Sequence, residues 1–230
     1  MSAASNLKNQ AIKGSIWTLF GYGASQIIRL ASNLILARLL FPEAFGLMAL
    51  VNVFMQGLQM FSDVGIGPSI IQNKRGNDPR FLKTAWTIQV FRGIALWAFC
   101  CATAPLVANF FAESNPSAHK LLYILPVTGI TAFIGGFTST SVFTLNRKLD
   151  MKRMTLLELV PQAGSLTCMI IWAHYHPSVW ALVGGGVTFS IIRLIMSHAM
   201  SPDHKDGFAW KPAARQELFR FGRWVFLSTV

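Results

Sequence analysis

Apolar residues run along this chain in long blocks, and short polar segments separate one block from the next. The blocks are about 20 residues long, which is the length that a helix needs to cross a hydrocarbon core of about 30 Å. We therefore predict six membrane-spanning helices and the first residues of a seventh. Their approximate bounds are 14–40, 44–62, 84–111, 121–145, 155–175, 179–200 and, for the start of the seventh, 224–230.

The predicted fold is all-α, a polytopic transmembrane helix bundle. Residues 1–200 are expected to form an N-terminal lobe of six helices, and residues 201–223 a polar cytoplasmic loop between two lobes. The seventh apolar block stops at Val230, well short of a full crossing. We therefore expect a truncated seventh helix and a longer full protein.

Composition favours a membrane protein over a soluble one. Hydrophobic residues make up 53% of the chain and charged residues only 13%, whereas about 25% charged residues is usual in soluble domains. So few charges cannot cover the surface of a globule of this size. The net charge of +11 would by itself allow nucleic-acid binding, but the basic residues lie in short loops between apolar blocks. We therefore expect contacts with membrane lipids and no nucleic-acid partner.

The loop charges also predict an orientation. With the N-terminus in the cytoplasm, 15 of the 20 lysines and arginines fall on the cytoplasmic side. Arg38 and Lys120 fall outside, and the other three basic residues lie within helices. Because cytoplasmic loops of membrane proteins carry the excess of basic residues, we predict a multi-pass membrane protein with a cytoplasmic N-terminus; the resemblance described below implies the bacterial inner membrane.

No pattern in the sequence indicates an enzyme, a metal site or a cofactor. Cys100, Cys101 and Cys168 lie inside apolar blocks and lack the spacing of metal ligands or of a disulfide framework. The sequence has no phosphate-binding glycine loop, nucleophile elbow or zinc-binding histidine pair. We expect no catalytic residues, no metal and no cofactor, and transport fits the sequence better than catalysis does.

Polar residues recur at helical spacing inside the predicted spans. Helix packing explains most of the Ser, Thr and Gly positions, but it does not explain Arg29, Arg92 and Arg193. A charged side chain near the centre of a membrane helix costs at least about 2.5–3.5 kcal/mol, so it normally faces a partner or a water-filled cavity. Arg92 lies nearer the cytoplasmic side, where an extended side chain reaching the interface is the alternative. We predict that the bundle encloses a polar, cationic cavity.

Seven further residues complete the predicted site. The residues expected to line the cavity are Gln26, Asn33, Asn52, Gln56 and Gln89. Asp63 and Glu158 are candidates for coupling transport to an ion. Each also has a local explanation: Asp63 ends a predicted helix beside a basic loop, where an ion pair or a cap is as reasonable. Glu158 would favour the N-terminal end of its helix or pair with Arg153.

Several segments together resemble one transporter family. They are Gly14–Trp17 (GSIW), Gln26, Leu34–Gly46 (LILARLLFPEAFG), Phe61–Gln72 (FSDVGIGPSIIQ) and Leu145–Glu158 (LNRKLDMKRMTLLE). This combination resembles the polysaccharide (Wzx-type) flippases of the multidrug/oligosaccharidyl-lipid/polysaccharide (MOP) exporter superfamily. The resemblance covers nearly the whole chain.

The resemblance implies two lobes that face a central cavity, of which this chain supplies one. It also implies that the substrate is a lipid-linked oligosaccharide, usually on undecaprenyl diphosphate, moved across the inner membrane by alternating access. The glycan would serve O-antigen, capsule or exopolysaccharide assembly, with the polysaccharide polymerase machinery as a further partner. Arg29, Arg193 and Arg92 would then bind the diphosphate through charge-assisted hydrogen bonds.

Two other functions are weighed against this one. The first is a multidrug or small-molecule antiporter of the same superfamily, in which Asp63 or Glu158 would carry the ion coupling. The second is a membrane-embedded glycan ligase or polymerase. That enzyme would need large outer loops to hold an acceptor and catalytic groups, and the predicted outer loops of this chain are short.

Overall fold

In the computed structural model of the protein, residues 2–63, 65–73, 75–112, 116–200, 206–212, 214–218 and 220 are described. Helices dominate these ranges, and no strand occurs among them. The predicted start of a seventh helix at 224–230 lies outside the described residues, as does part of the predicted loop 201–223. The helices are α1 (Ser2–Leu39), α2 (Pro42–Ser62), α3 (Ile66–Gln72), α4 (Pro79–Ala112), α5 (Leu121–Gly136), α6 (Ser141–Arg147), α7 (Met151–Tyr175) and α8 (Val179–Ala199).

Five segments in the described part are long and apolar enough to cross a membrane. They are α2, α4, α7, α8 and the segment Ser117–Gly136, in which a 3-10 turn leads into α5. The sixth predicted span, 14–40, corresponds to α1. That helix is long, but the polar residues along it (Ser25, Gln26 and Arg29 among them) reduce its hydropathy.

The predicted helix at 121–145 is interrupted, so the prediction of one continuous helix there was wrong. α5 ends at Gly136, residues 137–140 form a turn, and α6 continues for seven residues. A similar interruption follows α2, where the sequence predicted only a polar loop. Gly65 there adopts a left-handed conformation (φ 63°), which a residue without a Cβ tolerates. It precedes the seven-residue α3.

The main core lies between α2, α4, α5 and α8, and α1 packs on the far side, against α7. Buried apolar residues of the core include Leu47, Val51, Met55, Cys100, Ala104, Leu121, Ile124, Leu125 and Val183. On α1, Ser25 donates from Oγ to the Gln162 side-chain oxygen on α7 at 2.9 Å. Part of the polar stripe of α1 therefore serves helix packing.

Helices α4 and α5 approach most closely at two glycines. A Cβ added to Gly93 would lie 2.8 Å from the carbonyl oxygen of Ala132 and 3.0 Å from the Cα of Gly136. Both atoms belong to the backbone, which cannot rotate away as a side chain can. Small residues at this crossing therefore set the distance between the two helices.

We predict that Gly93→Ala destabilises the full-length protein, because overpacking a close contact typically costs about 1–3 kcal/mol. A thermal unfolding curve in detergent measures the change as a lower Tm. Gly135→Ala is the matched control, since nothing lies within 4 Å of a Cβ at that position. Equal unfolding temperatures for the two variants would contradict the assigned contact.

Candidate functional site

A cavity of about 540 Å³ lies where the two interruptions face α4 and α8. It occupies the end of the bundle at which α2, α5 and α8 finish, which is also the end that carries the basic loops. Apolar walls come from α3 and α6 on one side and from Leu96 and Phe189 on the other. The polar side chains of the lining are Gln59, Asp63, Gln89, Arg92, Thr131, Thr138, Ser139, Ser190 and Arg193.

Arg92 closes the C-terminal end of α2. Its Nε donates to Ser62 Oγ at 3.0 Å, and its Nη2 donates to the carbonyl oxygen of Gln59 at 2.9 Å. Its Nη1 lies 3.8 Å from Asp63 Oδ1. A cation is favourable at this end of a helix because the unpaired carbonyls carry partial negative charge. Arg92 therefore has a structural role at the first interruption, and Asp63 offsets its charge.

Gln89, one turn before Arg92 on α4, binds the C-terminal end of α5 in a similar way. Its Nε2 lies within 3.3 Å of three carbonyl oxygens, those of Gly135, Gly136 and Thr138. A primary amide has two N–H donors to share among these acceptors. The carbonyls that the interruption leaves without helical partners are thus satisfied from α4.

The far side of the second interruption is attached to α8. The Ser139 amide donates to Ser197 Oγ at 3.1 Å, and Ser141 Oγ donates to the Ser197 carbonyl at 3.2 Å. The His198 ring nitrogen Nε2 lies 3.0 Å from the carbonyl oxygen of Phe137. Ser139, Ser141 and Ser197 are all buried, so the turn is held in place by a buried network.

Arg147 connects the two interruptions. From the last turn of α6, its Nη1 donates to the carbonyl oxygens of Ile70 and Asn73 at the end of α3. The two short helices that follow the interruptions are therefore tied to each other by one guanidinium group.

Arg193 differs from Arg92 and Arg147. It lies on α8 with an exposed side chain, and its guanidinium carbon is 5.9 Å from the centre of the Phe189 ring. Among the described residues, Arg193 makes no hydrogen bond or ion pair. It is the cation of the cavity that remains available to a ligand.

The structure brings four of the ten predicted site residues together at this cavity: Asp63, Gln89, Arg92 and Arg193. Arg29, Gln26 and Asn33 lie elsewhere, on an exposed face of α1. Asn52 and Gln56 are exposed on α2, outside the lining.

The two acidic candidates occupy different surroundings. Asp63 Oδ1 accepts from the Gly65 amide at 2.9 Å and lies near Arg92, which is the local arrangement given as its alternative. Glu158 is exposed on α7 and pairs with no described residue. Arg153, its expected partner, instead pairs with Asp150 at 3.3 Å.

Some lining residues were not predicted from the sequence. Gln59 lies one turn after Gln56, and Ser190 one turn before Arg193, so helical spacing would have found both. Thr138 and Ser139 lie in an interruption that the apolar pattern hides. Their signal is the pair Gly135 and Gly136, which precedes four consecutive hydroxyl residues.

A family comparison now bears on this geometry. The family described as polysaccharide biosynthesis protein matches residues 35–230. The chain belongs to this family. The match confirms the resemblance given by the sequence motifs.

Two curated relatives of the polysaccharide biosynthesis family are similar over nearly all of the chain. Lipopolysaccharide biosynthesis protein WzxC of Escherichia coli (strain K12) is 22% identical over 228 residues, which cover 98% of this chain and 45% of WzxC. A putative O-antigen transporter of Shigella flexneri is 26% identical over 239 residues, covering 95% of this chain and 54% of the transporter. The chain therefore spans about half the length of these relatives.

One solved structure has the same fold. It is a MOP superfamily transporter from Pyrococcus furiosus, which superposes with a TM-score of 0.72 at 16% identity. The superposition covers 96% of this chain and 52% of that protein. The predicted fold class, a polytopic helix bundle of MOP type, is confirmed, and this family member is a membrane protein.

We predict that Gln89→Leu destabilises the full-length protein, because it leaves carbonyl groups of the second interruption without a donor. Each unsatisfied buried group costs about 1–3 kcal/mol, and thermal unfolding in detergent measures the loss. Thr103→Val is the control, since the Thr103 hydroxyl donates only within its own helix, to the Phe99 carbonyl at 2.7 Å. An unchanged Tm for Gln89→Leu would show that α4 does not hold the interruption.

Proposed function

We propose that this chain is the N-terminal half of a flippase, a transporter and not an enzyme. Its substrate would be an oligosaccharide linked to a lipid diphosphate such as undecaprenyl diphosphate, moved across the bacterial inner membrane for O-antigen, capsule or exopolysaccharide assembly. The observation that carries the proposal is Arg193, an available cation in the wall of a cavity between interrupted transmembrane helices. Family membership and the names of the two relatives support it.

The charge of the cavity favours an anionic ligand. Its lining holds two arginines and one aspartate, so one positive charge remains uncompensated. Because Asp63 lies beside Arg92 and not beside Arg193, that charge belongs to Arg193. A guanidinium group binds a phosphate through two parallel charge-assisted hydrogen bonds, which are about twice as strong as neutral ones. The diphosphate of the lipid carrier is the proposed anion.

A second polar surface extends beyond this cavity. Tyr22, Gln26, Arg29 and Asn33 follow one face of α1, and all four are exposed. Asn52, Gln56 and Gln59 are likewise exposed on α2. A charged residue on a membrane helix faces a partner or water and avoids lipid. We propose that the second half of the protein lies opposite this surface and that the glycan passes between the halves.

Alternating access follows from that arrangement. Each half would move as a bundle about the binding site, which opens first to one side of the membrane and then to the other. The apolar carrier chain would stay in lipid, while the diphosphate and the glycan cross through the polar interior. On this proposal the polymerase machinery receives the glycan on the outer side.

We expect Arg193→Ala in the full-length protein to reduce surface polysaccharide by about tenfold or more, equivalent to about 1.4 kcal/mol of lost interaction. The measurement is glycan staining in a strain that lacks the chromosomal copy, with membrane protein level checked by immunoblot. Arg38→Ala is the control, because Arg38 is exposed at the last turn of α1, away from the cavity lining. Full export by Arg193→Ala would defeat the proposed role.

The proposed orientation has its own test. We expect a single cysteine at His176, in the turn between α7 and α8, to react with a membrane-impermeant maleimide in intact spheroplasts. A cysteine at Arg80, at the start of α4, should react only after permeabilisation. Both native side chains are exposed, and the native cysteines are replaced in this background. The reverse labelling pattern would place the N-terminus outside.

A further inference from the structure

In the described part of the protein, the chain that follows α8 packs against the helices of the bundle. Residues 206–212 and 214–218, which we call the docked segment, run back over the end of the bundle that contains the cavity. Its first attachment is to the turn between α5 and α6, its second is beside α3, the short helix that follows the other interruption, and between them it contacts α4. The arrangement is unexpected for a loop that the sequence predicts only as polar and basic.

The first attachment is Asp206, whose side chain is only 3% exposed. Its Oδ1 accepts from Thr140 Oγ1 at 2.8 Å and from the Thr140 amide at 3.3 Å. Thr140 is itself fully buried and directly follows Ser139, which lines the cavity. A hydrogen bond to a charged group is stronger than a neutral one, so Asp206 holds the turn between α5 and α6 firmly.

The second attachment is the helical stretch 214–218. Ala214 and Leu218 are buried in one apolar cluster with residues of α3 and α4, namely Ile66, Ile70, Phe81, Leu82, Ala85 and Ile88. Ile66 also lines the cavity. A movement of this stretch would therefore reach the cavity wall through this cluster.

Polar contacts fix the register of that second attachment. Glu217 accepts from Arg75 Nη1 at 3.1 Å and from Asn73 Nδ2 at 3.3 Å. Arg75 is held in turn by Asp78 at 3.3 Å. Hydrogen bonds from the Arg80 amide and from Arg75 keep the pKa of the Asp78 carboxyl below its ordinary value.

Between the two attachments the segment lies along α4. The Ala209 amide donates to Thr87 Oγ1 at 3.0 Å, and the Phe208 ring contacts Trp86 with ring centres 5.0 Å apart. Aromatic pairs in this edge-on arrangement are favourable beyond the area that they bury. The segment therefore contacts α4 at Trp86, one turn before Gln89, whose side chain binds the carbonyls of the second interruption.

We propose that the docked segment couples the second half of the protein to the cavity, with Asp206, Thr140 and Glu217 as positioning residues. When the second half moves, the segment transmits the displacement to both interruptions and changes which side of the membrane the cavity faces. This inference rests on the proposed two-half transporter. Its physical basis is that the segment is attached to the turn of one interruption and packs beside α3, the short helix that follows the other.

The test measures the side from which the cavity is reached, and it needs no substrate. In the full-length protein without native cysteines, Ser190→Cys places a thiol in the cavity lining. The rates of reaction with an impermeant maleimide are compared between inside-out vesicles and spheroplasts. We expect Thr140→Val and Asp206→Ala each to change the ratio of the two rates by about threefold or more, the effect of a shift in population.

Controls separate coupling from general loss of structure. Thr140→Ser keeps the hydroxyl and should retain the original ratio. Thr167→Val removes a hydroxyl that donates only to the Ala163 carbonyl of its own helix and should also leave the ratio unchanged. The Thr140→Val/Asp206→Ala pair should shift the ratio no further than the larger single change, whereas Asp206→Ala with Glu217→Ala should shift it further.

An unchanged ratio in Thr140→Val and Asp206→Ala, in protein that still unfolds cooperatively, would overturn the coupling and leave the transport proposal standing. If Asp206→Ala does not fold, Thr140→Val alone decides in the same way. A shifted ratio in the variants, combined with no glycan export by the parent protein that carries the native Thr140 and Asp206, would support the coupling and count against the proposed substrate. The two proposals therefore fail under different results.

Discussion

Backbone groups at an interrupted helix must find hydrogen-bond partners, and at the edge of a membrane water cannot always supply them. The described residues of this family member include two such interruptions, after α2 and after α5, and side chains from neighbouring helices satisfy both. Arg92 and Gln89, three residues apart on α4, donate hydrogen bonds to the C-terminal ends of α2 and α5, respectively. Arg147 takes the end of α3 from α6. The rest of the site depends on these contacts, because they decide where the chain can turn without exposing bare carbonyls.

The same requirement divides the cationic side chains into two kinds. Arg92 donates to the Gln59 carbonyl and the Ser62 hydroxyl, and Arg147 donates to two carbonyls at the end of α3, so the positive charge of both serves helix ends. Arg193 makes no such hydrogen bonds to the described residues. Its guanidinium lies over the Phe189 ring, beside the open space of the cavity. The cavity therefore contains one positive charge, that of Arg193, which is available to a ligand. The contacts that stabilise the interruptions also give the cavity its shape, so structure and ligand binding share one set of residues.

The apolar pattern predicted where α2, α4, α7 and α8 lie, because a membrane helix is predominantly apolar over about 20 residues, and the family motifs predicted the fold class. Helical spacing predicted polar faces, but it cannot say which neighbour a face meets. For this reason Arg29 was grouped with Arg193, while the structure places it on the exposed side of α1. The interruption at 137–140 escaped prediction because Phe137, Val142 and Phe143 continue the hydrophobic run through it. The packing of the docked segment was not predicted either, because its contacts join residues that are far apart in sequence.

The most direct measurement is the solvent environment of the cavity wall in the full-length protein in nanodiscs. A nitroxide attached to a cysteine at Gly135, which lines the cavity with nothing within 4 Å of its Cβ position, reports collisions with a water-soluble nickel chelate and with oxygen. Ile191, exposed on the opposite side of α8 from Arg193, serves as the lipid-facing reference. We expect the chelate to dominate at 135 and oxygen to dominate at 191. Oxygen dominating equally at both positions would mean that the cavity is dry and that Arg193 has no water to share with a charged ligand.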